Sequence, residues 1–261
     1  MKVRVLSPPA VKVLVVVLAR LGSTRFPGKV VGSLEGKPVI VHLLSRLKRD
    51  LDASVVKLVL ATSDDPANDE LEGLAKGVGV DVVRGPESDV LARFARCLDH
   101  FDADIIVRLN ADNPLICPNL IQNVYEALLA NSSADYASTI LKETFPLGMH
   151  VEAMRSSVCR VANRYAESAL DREHVTPFIY NSPDLFRLLS VESEDAAMAR
   201  IRVTVDYEID LRVINDILTR LDGERVTLAA VLRVLEEAPS LLKNTMHTKP
   251  QAIWHDQSKY E

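Results

Sequence analysis

The stretch VKVLVVVLARLGSTRFPGKVV, residues 11–31, decides how this chain is read. Its first eight residues place one lysine among seven apolar side chains, the pattern of a strand buried on both faces of a sheet. A glycine, two hydroxyl residues, basic side chains and a Gly-Lys pair follow, a composition suited to phosphate. A Walker loop has four residues between its glycines, a hydroxyl residue after the lysine, and a helix immediately behind. Here five residues separate Gly22 from Gly28, Val30 stands at the hydroxyl position, and the next helical pattern waits until Pro38. The Walker reading fails. What remains is a different polyanion cradle: Gly22 lets the backbone approach closely, and Arg20 and Lys29 supply positive charge.

Working outward, three more β-branched runs occur at residues 55–62, 80–84 and 103–109. Between them lie amphipathic patterns. PVIVHLLSRLKR sets Val39, Ile40, Leu43, Leu44 and Leu47 on one face behind a helix-starting Pro38. DVLARFARCLDH does the same with Val90, Leu91, Phe94, Cys97 and Leu98, capped by Ser88 or Asp89. Strands alternating with helices predict an α/β fold: a mainly parallel, Rossmann-like sheet flanked by helices on both faces. A further helix is expected in CPNLIQNVYEALLA, and later ones in SSVCRVANRYAESAL, YEIDLRVINDILTRL and TLAAVLRVLEEA, with strand character returning in DLFRLLSVES and ARIRVTVD.

The 261 residues suit a single domain. Within it the alternation breaks at residues 134–193, which predicts an insertion or dimer arm. The polar residues 240–261 read as a loosely attached tail.

At 48% apolar and 26% charged the chain can bury an ordinary core. Its net charge of −5 argues against a nucleic-acid partner, which needs a basic face. Three scattered cysteines form no CxxC pair, so neither a disulfide framework nor a structural zinc site is expected, and a reducing cytoplasmic setting fits. The opening apolar run is interrupted by Pro8, Pro9 and Lys12 and lacks a clean cleavage site, unlike an export signal. No stretch is long enough to span a bilayer.

In open parallel sheets ligands sit beyond the carboxyl ends of the strands. Polar residues gather there: Arg20, Ser23, Thr24, Arg25 and Lys29 after the first strand, Ser63 to Asp65 after the second, Arg84 and RGPESD after the third, Arg108 and Asp112 after the fourth, and Asp206 after a late strand. Taken singly, Asp112 would read as a turn residue and Asp206 as a helix cap. Their shared edge makes a site.

Several segments then resemble a known family in the right order. ARLGSTRFPGKVVGSLEGKPVI, LATSDDPAND, VVRGPESDVLARF, VRLNADNPLICPNLI, Val151-Glu152, REHVTPFIY and VTVDYEIDL match the cytidylyltransferases that make CMP-activated sugar acids, the acylneuraminate and Kdo type, and above all the spore-coat polysaccharide branch. The resemblance covers residues 11–218; its first and sixth segments are specific to the group. It implies a nucleotide-diphospho-sugar transferase type of fold, a homodimer, and attack of an acceptor hydroxyl on the α-phosphorus of CTP with release of pyrophosphate.

Carried over residue by residue, the resemblance implies that Arg20 and Lys29 hold the triphosphate. Leu18, Ala19, Arg20, Gly22 and Ser23, with Arg84, Ser88 and Asp89, would cradle the cytosine and ribose. Asp112 and Asp206 would bind Mg²⁺, which usually takes one or two carboxylates plus phosphates and water. His150, Glu152, Glu173 and His174 fall in the acceptor region, and Arg155 or Arg172 could meet an acidic acceptor. Two departures stand out: NADNP replaces a Gly-Asp-Cys-Pro type segment, and His150 in GMHVE replaces an acidic residue. A glycosyltransferase using a nucleotide sugar, or a nucleotide-binding protein without turnover, are the competing readings. The first gives no reason for the Arg20–Lys29 cradle, which suits a triphosphate, and the retention of Arg20, Lys29, Asp112 and Asp206 together weighs against the second.

Overall fold

A computed structural model describes residues 11–23 and 25–245; Thr24, the first ten residues and residues 246–261 lie outside the described part. The chain opens with β1 (Val13–Leu18), a short 3-10 turn at Lys29–Val31, the hairpin β2 (Ser33–Leu34) and β3 (Lys37–Pro38), then α1 (Val39–Asp50). There follow β4 (Val56–Ser63), α2 (Asp69–Gly77), β5 (Asp81–Gly85), α3 (Val90–His100), β6 (Ile105–Asn110) and α4 (Pro118–Ala130). The second half holds β7 (Tyr136–Ser138), β8 (Glu152–Arg155), α5 (Ser156–Tyr165), α6 (Ala169–His174), α7 (Pro177–Tyr180), β9 (Leu188–Ser190), α8 (Glu208–Leu221), α9 (Leu228–Glu237) and α10 (Pro239–Thr245).

Seven strands form one sheet in the order β5-β4-β1-β6-β8-β7-β9. β1 pairs in parallel with β4 and β6, and β4 in parallel with β5, while β8 runs antiparallel to both β6 and β7. The fold is therefore α/β with a mainly parallel sheet, as the alternation of apolar runs predicts. Every side chain of β1 is buried. Val13, Val15 and Val17 pack with α1, α4, α8 and α9, while Leu14, Val16 and Leu18 pack with α3 and α5. Period-two geometry sends successive side chains to opposite faces, and two covered faces explain why β1 reads as a continuous apolar run. Each fully buried Val or Leu contributes about 1.5–3 kcal/mol of apolar transfer. Cys97, Cys117 and Cys159 are free and buried; Cys97 packs in the α3–α5 layer, as its place on the apolar face predicts.

Three expectations need adjusting. Residues 134–193, read as an insertion or arm, supply β7, β8 and β9 to the main sheet. The expected late strand at ARIRVTVD is a 3-10 turn (Ala196–Arg200) followed by an isolated bridge between Arg202 and Leu147. Its partners are loops: Val203 N donates to Leu147 O at 2.7 Å and Val205 N to Asp112 O at 2.8 Å. Ile201, Val203 and Val205 are buried without a continuous ladder. The expected tail begins inside α10, where Leu241 is buried against α8 and α9; the rest of it lies outside the described residues.

Candidate active site

The chain leaves β1 toward β4 and β5 on one side and returns to β6 on the other, so the strand order reverses between β1 and β6. Such a switch point opens a crevice at the carboxyl ends. Register aligns those ends, with Leu18 opposite both Ala61 and Asn110. A cavity of about 300 Å³ lies there. Its lining includes Leu18, Ala19, Arg20, Gly22, Ser23, Lys29, Asp112, Glu173 and His174 from the expected set. Five basic side chains (Arg20, Arg25, Lys29, Arg93, Arg108) face two acidic ones (Asp112, Glu173) across it. The acidic average of the chain thus conceals a basic pocket fit for polyphosphate.

Backbone chemistry places Lys29. Gly28 adopts φ +71°, a left-handed conformation that glycine takes without cost, and its N–H closes the loop on Leu21 O at 3.1 Å. Leu21 N is in turn held by the buried Asn68 Oδ1 at 2.9 Å. The turn delivers the Lys29 ammonium 2.6 Å from Asp112 Oδ2 and 3.1 Å from Asp206 Oδ1. Two carboxylates far apart in sequence therefore converge on one cation.

The two aspartates are joined by their segments as well. Asp112 O accepts from Val205 N at 2.8 Å and from Thr204 Oγ1 at 3.0 Å. Asp206 is gripped by Arg25 at 3.0 Å and Arg202 at 3.1 Å. Burial pushes its carboxyl upward, but Lys29, Arg202 and Arg25 outweigh that and hold it below the ordinary range. Asp206 does not cap α8: Asp210 does that work, its Oδ2 accepting from Asp206 N at 2.7 Å and Tyr207 N at 2.8 Å, while Arg202 braces it.

This donor set suits a hard divalent cation. Asp206 Oδ1 and Asp112 Oδ2 already face the same positive centre, and both are carboxylate oxygens. Among the described residues no group of three or more His, Cys, Asp or Glu side chains is placed to hold a metal ion without other ligands. A metal here would fill its shell from phosphate and water, the usual pattern for Mg²⁺.

Arg108, another lining residue, belongs to a cross-strand pair. Arg108 on β6 stands opposite Glu152 on β8 and is ion-paired with it, and Tyr136 Oη donates to the other Glu152 oxygen at 2.7 Å. Glu152 is therefore a buried partner of Arg108 and does not line the cavity. His150 is also absent from the lining, and burial, with Arg108, lowers its basicity against the opposing pull of Glu152 and Asp112. His174 lines the cavity, where burial lowers its basicity, and Glu173 approaches Arg20 at 4.0 Å.

Four expected ligands are committed elsewhere. Arg84 bonds Ser63 O, Asp65 O, Asp69 and Glu72, which turns it away from the cavity. Asp89 caps α3 through Ala92 N at 2.9 Å and is held bidentately by Arg172, at 2.9 and 2.6 Å. That same pairing removes Arg172 as an acceptor ligand, and Arg155 is spent on the carbonyls of Leu128, Asn131, Ser132 and Ala134. Ser88 is exposed and outside the lining. A Cβ at Gly22 would meet Glu87 Oε1 at an ordinary 3.5 Å, so its backbone does not require glycine.

Sequence reasoning passed over Arg93 and Arg202. Arg93 is 2% exposed on the apolar side of α3, where Gly85 makes room: a Cβ there would lie 3.1 Å from Arg93 atoms. The signal was a glycine at a strand end facing a helix.

The Cytidylyltransferase family model matches residues 14–240. The spore coat polysaccharide biosynthesis protein SpsF of Bacillus subtilis is 32% identical over 84% of this chain and 90% of its own length. A 3-deoxy-manno-octulosonate cytidylyltransferase of Thioalkalivibrio sulfidiphilus is 34% identical over 60% of each chain. The structure of a cytidylyltransferase from Leptospira borgpetersenii superposes with a TM-score of 0.83 at 24% identity, covering 92% of this chain and 99% of that one. The chain belongs to the cytidylyltransferase family, a CTP-dependent nucleotidyltransferase.

Proposed function

We propose that this cytidylyltransferase joins CMP from CTP to a hydroxyl of a small sugar acid, of the kind its Kdo-type relative is named for, and releases pyrophosphate. The observation that carries the reading is the Lys29 ammonium set between Asp112 and Asp206 at the mouth of a basic crevice. In the reaction the acceptor oxygen bonds to the α-phosphorus and loses its proton to solvent, while the bond from that phosphorus to the bridging oxygen breaks, its electron pair leaving with pyrophosphate. Lys29 and Arg20 hold the phosphates and neutralise the charge that grows on the leaving group. Arrival of the triphosphate gives Lys29 a stronger partner, freeing the two carboxylates to face a cation. Mg²⁺ held by Asp112 and Asp206 would supply Lewis-acid polarisation of the phosphate. Arg202 and Asp210 keep Asp206 in place. Arg108 and His174, which also line the cavity, suit the carboxylate of the acceptor.

Pyrophosphate release with CTP, UTP, ATP or GTP, run against Kdo, amino-Kdo, neuraminic and legionaminic acids, tests this. Turnover confined to CTP with one sugar acid is expected. With neutral sugars run beside these acids, turnover with CTP and a neutral sugar alone would overturn the acceptor class.

The same reading includes a homodimer, a cytoplasmic enzyme, and a product destined for surface polysaccharide or glycan synthesis. Among the described residues, four of the six exposed large apolar side chains, Val161, Tyr165, Leu170 and Leu185, fall within residues 134–193, the segment expected to pair. Light scattering should return twice 28.8 kDa, and a monomer at micromolar concentration would refute the pairing. Among the described residues no helix is long and apolar enough to cross a membrane.

A further inference from the structure

Arg84 and Asp89 are committed to other partners and Ser88 lies outside the lining, so none of the three side chains expected around the nucleobase reaches the cavity. Of the described residues 84–93, Val90 and Arg93 do line it. They stand three positions apart on α3 and share one face of it. Arg93 is fixed in place by its surroundings. Its stem lies against Gly85, where a Cβ would fall 3.1 Å from its Cα, Cβ and Cγ. Its Nη1 donates to Pro86 O and, at 3.2 Å, to Glu87 O, while Nε is buried without a partner. The Glu87 carboxylate is held by Arg20 at 3.0 Å. Among the described residues Nη2 has no partner, and unlike Nε it is not sealed from solvent; it is the edge of the guanidinium that the cavity meets.

The sheet order says what lies there. α3 packs on β5 and β4, whereas Asp112 follows β6, on the other side of β1. A nucleotide whose phosphates lie against Lys29, beside Asp112, extends its base toward α3, where Leu18 and Val90 offer apolar surface and Arg93 a donor. At the ring edge the two pyrimidines differ at N3, an acceptor in cytosine and a hydrogen-bearing donor in uracil. An arginine carries donors only and keeps its proton. It therefore pairs with the first ring nitrogen and leaves two donors facing each other at the second.

We propose that Arg93 is the residue that selects cytosine over uracil, its Nη2 donating to cytosine N3. The assignment rests on the CTP reading above and adds to it the side chain that reads the base. Its test is a binding measurement and needs neither turnover nor the acceptor.

The experiment titrates the full chain calorimetrically, with magnesium present, against CTP, UTP, 3-deaza-CTP and tripolyphosphate. In 3-deaza-CTP a carbon replaces N3 and accepts nothing; tripolyphosphate has no base at all. Wild type should bind CTP at least about tenfold more tightly than UTP or 3-deaza-CTP, the scale of one pairing lost on a buried donor. Arg93→Lys keeps the charge but has no Nη2. It should bring CTP and 3-deaza-CTP to within about twofold of each other and leave tripolyphosphate binding within about twofold of wild type. Thermal melts check the fold of the variant, and the comparison of CTP with 3-deaza-CTP on wild type stands without it. Equal wild-type affinity for those two nucleotides would overturn the assignment. So would parallel loss of CTP and tripolyphosphate in a folded Arg93→Lys, which would make Arg93 a phosphate ligand. A wild-type chain that binds tripolyphosphate but no CTP would overturn the CTP reading itself, and this assignment with it.

Discussion

Lys29 separates Asp112 from Asp206, and two carboxylates sharing one ammonium cannot both keep their charge cheaply without it. Lys29→Met should therefore lower kcat/KM with CTP by about 10²–10³-fold, the scale of losing one preorganised charge at a transition state. Arg84→Ala supplies the contrast. Its guanidinium ties β5 to α2 and to the loop after β4, so stability should fall by about 1–2 kcal/mol while turnover stays near wild type. Denaturant melts and steady-state rates on both variants check the pair; a large rate loss in Arg84→Ala would return that residue to the site. The contrast also shows where sequence legibility ends. Arg20, Lys29 and Asp112 could be placed because each follows a strand at the switch edge. Arg84, Asp89 and Arg172 look equally functional in sequence, but their partners come from α2, α3 and α6, whose mutual placement no local pattern records.

Among elements, the segment after Arg200 carries the most function with the least regular structure. It holds Asp206 through two bonds to each of two loops, and one of those passes Gly148. Gly148 sits at φ +107°, and a Cβ there would fall 2.7–2.9 Å from backbone atoms of Val203 and Thr204. Gly148→Ala should destabilise the fold by more than about 1 kcal/mol and shift Asp206, lowering turnover beyond what lost stability explains. Chemical denaturation beside rate measurements well below the melting point separates the effects; wild-type stability would contradict the packing. Helices α1, α3, α4, α8 and α9 were legible because apolar periodicity and their starting residues agree. The β2–β3 hairpin, two residues per strand, is too short for any period to show. Residues 201–206 misled because buried β-branched side chains look the same whether their backbone meets a strand or a loop.

For the whole molecule, the parallel half of the sheet follows from the alternation, whereas the reversed β8 does not. Its pairing with β6 sets Arg108 opposite Glu152, a long-range ion pair invisible at any local window. Charge also shapes global stability. Asp206 is held below the ordinary range by cations that outweigh its burial, and Asp50 by Arg49. A depressed folded value means these groups stabilise the fold above the unfolded carboxylate range, near 3.9, and lose that contribution as pH falls through the folded values. Denaturation midpoints should thus drop below about pH 4, with a shallower fall in Asp206→Asn; identical acid profiles would show that the pair network carries no net stability. The most direct test of the central claim is pyrophosphate release from CTP and the accepted sugar acid by Asp112→Asn, with magnesium varied and folding monitored. The expected result is a folded variant whose rate falls by about 10³-fold and is only partly restored by excess magnesium. A rate near wild type at low magnesium would remove Asp112, and the Lys29-bridged pair with it, from the reaction.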